Sequence, residues 1–376
     1  MTDYSALIAF LIEADRLKSV DRANVLMDDS RAENSAEHSW HVALYAMVFG
    51  GSDRAIAMIL LHDLVEIDTG DHPIHLAHDA AAVQAAELAA AQQLFGLLPG
   101  GASLLALWQE FEAGQSPDAR FAKRMDHIQP LFQVLLSDRP RPDHLQIVRD
   151  NMGGGRAARL WQEWPEAMAA AQSLLDGQPL PDSDLGRRLA FLAVADRLKS
   201  VLRAGRLCDG SRRENTAEHS WHLALYALVL GGIAGPGVDP ARVIRMLILH
   251  DLVEIDTGDV PIHANGGASH HSQGQVAAEQ AAARRIFGLL PQAQGQGFRA
   301  LWDEFEAAET PDAIFGKALD RAQPVVLNLA SDGGTWPEYN VTYDQLVARV
   351  GRQIERGAPD LWQWLDERAR QWFAHA

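Results

Sequence analysis

The ten residues HDLVEIDTGD stand at 62–71 and again, unchanged, at 250–259. Internal repetition decides architecture before any local pattern is read, and here it spreads outward from the decapeptide. DRLKSV at 15–20 returns at 196–201, and ENSAEHSWH at 33–41 returns as ENTAEHSWH at 214–222. Downstream, FAKRMDHIQP (121–130) matches FGKALDRAQP (315–324), and Leu160-Trp161 pairs with Leu361-Trp362. The offset grows from 181 residues (His38 to His219) through 188 (His62 to His250) to 194 (Asp126 to Asp320). The copies therefore differ by loop insertions, one of them GGIAGPGVDP at 231–240. The stretch DGQPLPDSD at 176–184 has the Pro, Gly and Asp content of a boundary. The expected units are 1–178 and 185–376, with 176–184 as the linker.

Local patterns favour an all-α chain. AIAMILLHDLVEI (55–67) and RVIRMLILHDLVEI (242–255) are apolar on nearly every face, as a buried central helix would be, and are long for a strand. AAELAAAQQLF (85–95) and AEHSWHVALYAMVF (36–49) also read as helices, and few stretches alternate with period two.

Composition bounds the function. Of 376 residues, 47% are hydrophobic, enough to build cores, and 33 basic against 50 acidic residues give a net charge of −17. That charge opposes general nucleic-acid binding but leaves room for one small phosphorylated ligand held by a local metal and a few cations. The single cysteine, Cys208, reads as a bystander, and the N-terminus lacks the basic region of a signal peptide. With no run of apolar residues long enough to span a bilayer, a cytoplasmic location off the membrane is expected.

The chemistry-bearing residues recur in both units. A His-Asp dipeptide (His62-Asp63, His250-Asp251) sits in an apolar segment, where a lone histidine would read as a core residue. It is not alone. His38 or His219 lies upstream and Asp126 or Asp320 downstream, each on a different expected helix. Two imidazoles and two carboxylates suit a borderline or hard divalent ion with open positions, and without one the buried charge would be costly. Glu66 and Glu254 follow the dipeptide histidine by four residues, the spacing of one helix face, and suit proton transfer or support of a ligand. Asp71 and Asp259 follow Gly70 and Gly258, read as left-handed helix caps that return the aspartate to the site. Arg22, Arg31, Arg203 and Arg212 are the candidate phosphate-binding cations. Lys18 and Lys199 read as solvated or structural, and His41 and His222 as packing or supporting histidines. Trp108 and Trp302 read as core anchors, and His75 and His263 as loop residues near the pocket mouth.

This H…HD…D order, with RLKSV-x-R and EN-x-x-EH before it and HDLVE-x-x-x-GD at its centre, resembles the HD-domain superfamily of metal-dependent phosphohydrolases. Within it, each unit resembles the small 5′-deoxynucleotidases over about 120 residues. The resemblance implies two tandem helical HD domains packed as an intramolecular pseudo-dimer. It implies one divalent metal ion per domain (Mn, Co, Fe, Zn or Mg), on His38, His62, Asp63 and Asp126 and on His219, His250, Asp251 and Asp320. It further implies release of phosphate from a nucleotide-like monophosphate, with Glu66, Asp71, Glu254 and Asp259 assisting and Arg22 and Arg203 contacting substrate. In those deoxynucleotidases a tryptophan follows that arginine beside the sugar; here the positions are Ala23 and Ala204, which removes a steric gate. The shared alanines suggest that both sites read the same ligand. Two alternatives remain at this stage: a di-iron oxygenase of HD type, which would need two further histidines where only His75/His263 recur, and a nucleotide-binding regulator without turnover.

Overall fold

The computed structural model describes residues 2–73, 79–263 and 272–375. The first half runs α1 (Tyr4–Asp15), β1 (Asp21–Val25), β2 (Ala32–Asn34), α2 (Ser35–Val48), α3 (Asp53–Leu61), α4 (Glu66–Thr69), α5 (Ala80–Phe95), α6 (Ala102–Ala113), α7 (Pro117–Leu135), α8 (Pro142–Gly154), α9 (Leu160–Glu163) and α10 (Pro165–Leu175). The second half repeats this order: α11 (Asp184–Asp196), β3 (Leu202–Arg206), β4 (Arg213–Asn215), α12 (Thr216–Leu230), α13 (Pro240–Leu249), α14 (Glu254–Thr257), α15 (Gln273–Phe287), α16 (Gln292–Ala307), α17 (Pro311–Ala330), α18 (Tyr343–Leu346), α19 (Arg352–Gly357) and α20 (Pro359–His375). The expected linker falls between α10 and α11. Among the described residues, no helix is long and apolar enough to cross a membrane.

The fold is all-α apart from two short antiparallel ribbons, β1–β2 and β3–β4, which the periodicity did not announce. Each ribbon leads into a buried helix. Asn34 and Glu37 form a reciprocal capping box that starts α2, and Asn215 and Glu218 start α12 in the same way. Every residue of α2 is buried, because its two sides face α3 and α7 of its own half while a third meets α12 of the other. Trp40 of α2 and Trp221 of α12 are both fully buried in that contact.

The HD dipeptide does not lie inside a continuous helix, as the apolar pattern suggested. α3 ends at Leu61 and α13 at Leu249, and the histidine is the capping residue in each. Helix ends leave carbonyls without partners, and tertiary donors take them here. His62 Nδ1 donates to Ile59 O at 2.7 Å, Trp221 Nε1 of the other half to Leu60 O at 3.3 Å, and Trp108 Nε1 to His62 O at 3.1 Å. The second half mirrors this: His250 Nδ1 to Leu247 O (2.8 Å), Trp40 Nε1 to Ile248 O (3.1 Å) and Trp302 Nε1 to His250 O (2.9 Å).

The single turns α4 and α14 then close on Gly70 and Gly258. Their φ is positive as expected, but ψ is extended (73°/164° and 69°/162°), so neither is a left-handed helix cap. That region is essentially restricted to glycine. A Cβ on Gly70 would meet nothing within 4 Å, so substitution has only a backbone cost. Gly70→Ala is expected to destabilise the chain by about 1–3 kcal/mol, measured by urea unfolding; an unchanged midpoint would contradict the conformational argument.

Candidate metal centres

Three helices converge in each half. α2 brings His38, the end of α3 brings His62 and Asp63, and α7 brings Asp126; α12, α13 and α17 do the same for His219, His250, Asp251 and Asp320. Both histidines of each pair are buried. His38 Nε2 lies 3.2 Å from Asp126 Oδ1 and 3.9 Å from Asp63 Oδ2, while His62 Nε2 lies 3.1 Å from Asp63 Oδ1 and 3.6 Å from Asp126 Oδ1. The corresponding separations in the second half are 3.2 Å (His219–Asp320), 3.8 Å (His219–Asp251), 3.0 Å (His250–Asp251) and 3.9 Å (His250–Asp320).

The donor set fits a cation. Because His62 Nδ1 and His250 Nδ1 face carbonyls, they carry the protons, and each Nε2 presents a lone pair. Those two Nε2 atoms are buried without a hydrogen bond and face carboxylate oxygens. A lone pair against an anion in a buried site is unfavourable unless a positive charge sits between them. Ligands about 2.1 Å from a shared ion stand roughly 3–3.5 Å apart, close to the separations found. Phe111 and Phe305 pack edge-on against the His62 and His250 rings, with centroids 5.2 Å away in both cases.

Around each cluster stand an arginine from the preceding ribbon and two further carboxylates. Arg22, carried by β1, lies 3.0 Å from Asp63, 3.8 Å from Glu66 and 3.7 Å from Asp71. Arg203, carried by β3, lies 2.9 Å from Asp251, 3.8 Å from Glu254 and 3.6 Å from Asp259. Burial and the neighbouring Asp63 push the Glu66 carboxyl up to about 8, and burial and Asp251 push Glu254 well above its ordinary range. Ser35 Oγ donates to Glu66 at 2.5 Å and Thr216 Oγ1 to Glu254 at 2.9 Å. The glutamates thus reach the site although no continuous helix joins them to the histidines.

Arg31 and Arg212 go elsewhere, a correction to the sequence-based expectation. Arg31 grips Glu37 through two hydrogen bonds (2.6 and 2.8 Å) and donates to Lys199 O; Arg212 holds Glu218 (2.6 and 3.1 Å) and donates to Lys18 O. Their planar forks are used between the halves, and neither lines a site cavity.

Lys18 and Lys199 are fully buried rather than solvated, because they too face the opposite half. Clusters of metal-ligand type at Asp15/Glu214/His222 and Glu33/His41/Asp196 each enclose one of these ammonium groups, which supplies the positive charge. His41 and His222 accept from the lysines and donate to Leu192 O and Leu11 O, so they support the interface between halves. His75 lies outside the described residues; His263 pairs with Arg349 and joins no metal-type cluster. Cys208 is buried, and its backbone N–H donates to Asp15.

The two cavities differ, against the expectation of one shared ligand. The first measures about 1150 Å³, and beyond the cluster its lining mixes Arg120, Lys123, Arg156 and Arg159 with Glu87, Glu112, Asp143 and Glu163. The second measures about 160 Å³. Arg321, at the position of His127, bonds the site carboxylate Asp320 at 3.0 Å, and Tyr339 and the buried Trp336 line the cavity. Trp336 is held by Trp372 and Phe373 of α20, which is one continuous helix where the matching stretch of the first half is split into α9 and α10.

The HD-domain family model matches this chain twice, over residues 14–168 and 195–362. The chain belongs to the HD-domain family. Both matched stretches contain a complete set of the convergent histidines and aspartates. A 5′-deoxynucleotidase of Schizosaccharomyces pombe is 25% identical over 136 residues, covering 36% of this chain and 67% of the relative. A 5′-deoxynucleotidase of Homo sapiens is 28% identical over 140 residues, covering 37% of this chain and 65% of the relative. The chain thus spans about two thirds of the length of the curated relatives it matches. A crystal structure of a predicted metal-dependent phosphohydrolase from Magnetospirillum magnetotacticum is 41% identical and covers 51% of this chain and 97% of that one, with a TM-score of 0.47.

Proposed function

We propose that this HD-domain protein is a metal-dependent phosphomonoesterase whose first half releases phosphate from a (deoxy)nucleoside 5′-monophosphate or a similarly small ester. The observation that carries the reading is the pair of buried, unpartnered Nε2 atoms aimed at carboxylates beside a half-buried arginine. His38, His62, Asp63 and Asp126 would hold one divalent ion, and His219, His250, Asp251 and Asp320 a second. A bound ion of this kind supplies Lewis acidity to a phosphoryl oxygen and lowers the pKa of a bound water. The mixed nitrogen and oxygen donors accept Mn, Co, Fe, Zn or Mg, so availability selects the occupant.

The chain's own groups would do the rest. Arg22 is placed to pair with the phosphate oxygens once substrate draws it from Asp63. Glu66, which accepts a hydrogen bond from Ser35 beside the cluster, is placed to give a proton to the departing ester oxygen as the P–O bond breaks and to take one back from the water whose oxygen bonds to phosphorus. Asp71 faces Arg22 across 3.7 Å and steadies it. Similarity to 5′-deoxynucleotidases supports the nucleotide substrate, while Ala23 at the mouth relaxes the demand on the sugar.

Glu66→Gln keeps the shape and the Ser35 contact but cannot transfer a proton. It is expected to lower kcat by about 10²–10⁴-fold with metal content unchanged, read by phosphate release and metal analysis. Full activity in that variant would remove Glu66 from the chemistry. A screen of nucleoside and sugar monophosphates with each metal tests the reading as a whole; metal-loaded protein inert on every member would defeat it.

The second cavity favours a different load. Ligand sites for drug-sized molecules occupy about 300–1000 Å³, and 160 Å³ falls below that range. The second site would accept inorganic phosphate or a very small ester, with Arg321 beside it. The two halves, joined through 176–184, would stand in for the two subunits of a dimer, as their reciprocal contacts suggest.

A further inference from the structure

The lysine of the repeated DRLKSV motif connects each half to the opposite site. Lys199 Nζ bonds Asp196 of its own half, then Glu33 Oε1 at 2.7 Å and Gln133 Oε1 at 3.1 Å in the first half. Lys18 Nζ bonds Asp15 of its own half and Glu214 Oε1 of the second half at 2.5 Å. The far oxygens of those glutamates face site histidines. Glu33 Oε2 lies 3.5 Å from His38 Nδ1, close enough for an ion pair but not hydrogen-bonded to it, and Glu214 Oε2 lies 3.3 Å from His219 Nδ1, whose hydrogen bond goes to Gln323 Oε1 at 3.2 Å. All of these side chains are buried, so no water competes for the bonds.

A carboxylate behind a metal-binding imidazole fixes its tautomer and ring plane and makes the other nitrogen a better ligand. Such a carboxylate needs a cation to remain ionised in a dry interior. Here the hydrogen-bonded cation comes from the other half in both cases, while an arginine of the same half stands farther off, Arg22 at 3.8 Å from Glu33 and Arg203 at 3.9 Å from Glu214. The same pattern occurring twice, in halves that have diverged at their mouths, argues against a chance contact.

We propose that Lys18 and Lys199 are positioning residues that act across the chain: each sets the carboxylate that orients the metal histidine of the opposite half, so neither half completes its own metal centre. This rests on the metal-centre reading given above. The step involved is orientation alone, with no bond made or broken in substrate.

Cobalt(II) titration of the full chain, followed by visible absorption and metal analysis, tests the crossing. One site is silenced in turn, by His250→Ala/Asp251→Ala or by His62→Ala/Asp63→Ala. Lys199→Met is expected to weaken cobalt binding at the first-half site by about 10–100-fold and to spare the second; Lys18→Met is expected to do the reverse. If each substitution weakens the site of its own half, weakens both equally, or weakens neither, the proposal is overturned. Should Lys199→Met fail to fold, Lys199→Met/Glu33→Gln removes the stranded charge. It should bind cobalt at the first site no more weakly than Glu33→Gln alone, because the lysine acts through the glutamate; a further additive loss would overturn that link. A wild-type chain that takes up no cobalt would instead defeat the metal reading itself, and the inference with it.

Discussion

Asp63→Ala is expected to cut turnover of a deoxynucleoside 5′-monophosphate by about 10³-fold or more, while Asp251→Ala retains roughly half or more of it. Both aspartates occupy the same place beside a dipeptide histidine, 3.1 and 3.0 Å from its Nε2. Losing either should open the donor set and free Arg22 or Arg203 from its closest anion. The expected inequality comes from access. The first cluster opens on a cavity of about 1150 Å³, room for a nucleotide, and the second on one of about 160 Å³, which is too small for it. Steady-state phosphate release from the two variants decides the matter. Equal losses would show that the second cavity opens to nucleotides, and a larger loss in Asp251→Ala would reverse the assignment. Trp336→Ala offers a cross-check, since the wall it forms has no counterpart in the first half.

Replacing Lys199 with methionine is expected to cost about 3–5 kcal/mol of stability, because removing one partner of a buried ion pair strands the others. Asp196 and Glu33 would both lose their ammonium partner, and His41 would lose a donor. Glu33 is held well below the usual carboxylate range: burial opposes its ionisation, and Lys199 and His38 outweigh it. Much of the loss should return in Lys199→Met/Glu33→Gln, since a neutral amide tolerates burial better than an unpaired carboxylate. Urea unfolding of the two variants beside wild type measures both quantities. A Lys199→Met chain within about 1 kcal/mol of wild type would mean that water or another cation reaches the buried pair.

Much of the site was legible in the residues alone. A histidine and an aspartate side by side in thirteen otherwise mostly apolar positions had to be compensated, and the repeated upstream histidine and downstream aspartate named the partners. What misled was local. The run 55–67 shows no Gly or Pro, so nothing in it announces that α3 stops at Leu61. The stop comes from Trp221, Trp108 and the His62 ring, which claim the last carbonyls in place of backbone donors. Arg31 looked like a phosphate ligand because arginine suits phosphate and carboxylate equally well, and Glu37, six residues away, takes it. The ribbons were missed because β1 and β2 are only five and three residues long and too short to show a period.

Local periodicity pointed to the all-α fold class, and the repeat pointed to the candidate donor set of each half and the residue types around it, because those depend on which side chains exist and how far apart a helix or turn can place them. Which half supplies each partner could not be read in the same way. DRLKSV and EN-x-x-EH occur in both halves, so a bond from Lys199 to Glu214 would be chemically equivalent to the one it makes with Glu33. The packing of α2 against α12 breaks that tie by bringing each lysine to the other half's glutamate. Cavity size is tertiary for the same reason: identical HD motifs say nothing about the α20 aromatic residues that brace the buried Trp336 against the second cavity, the smaller of the two.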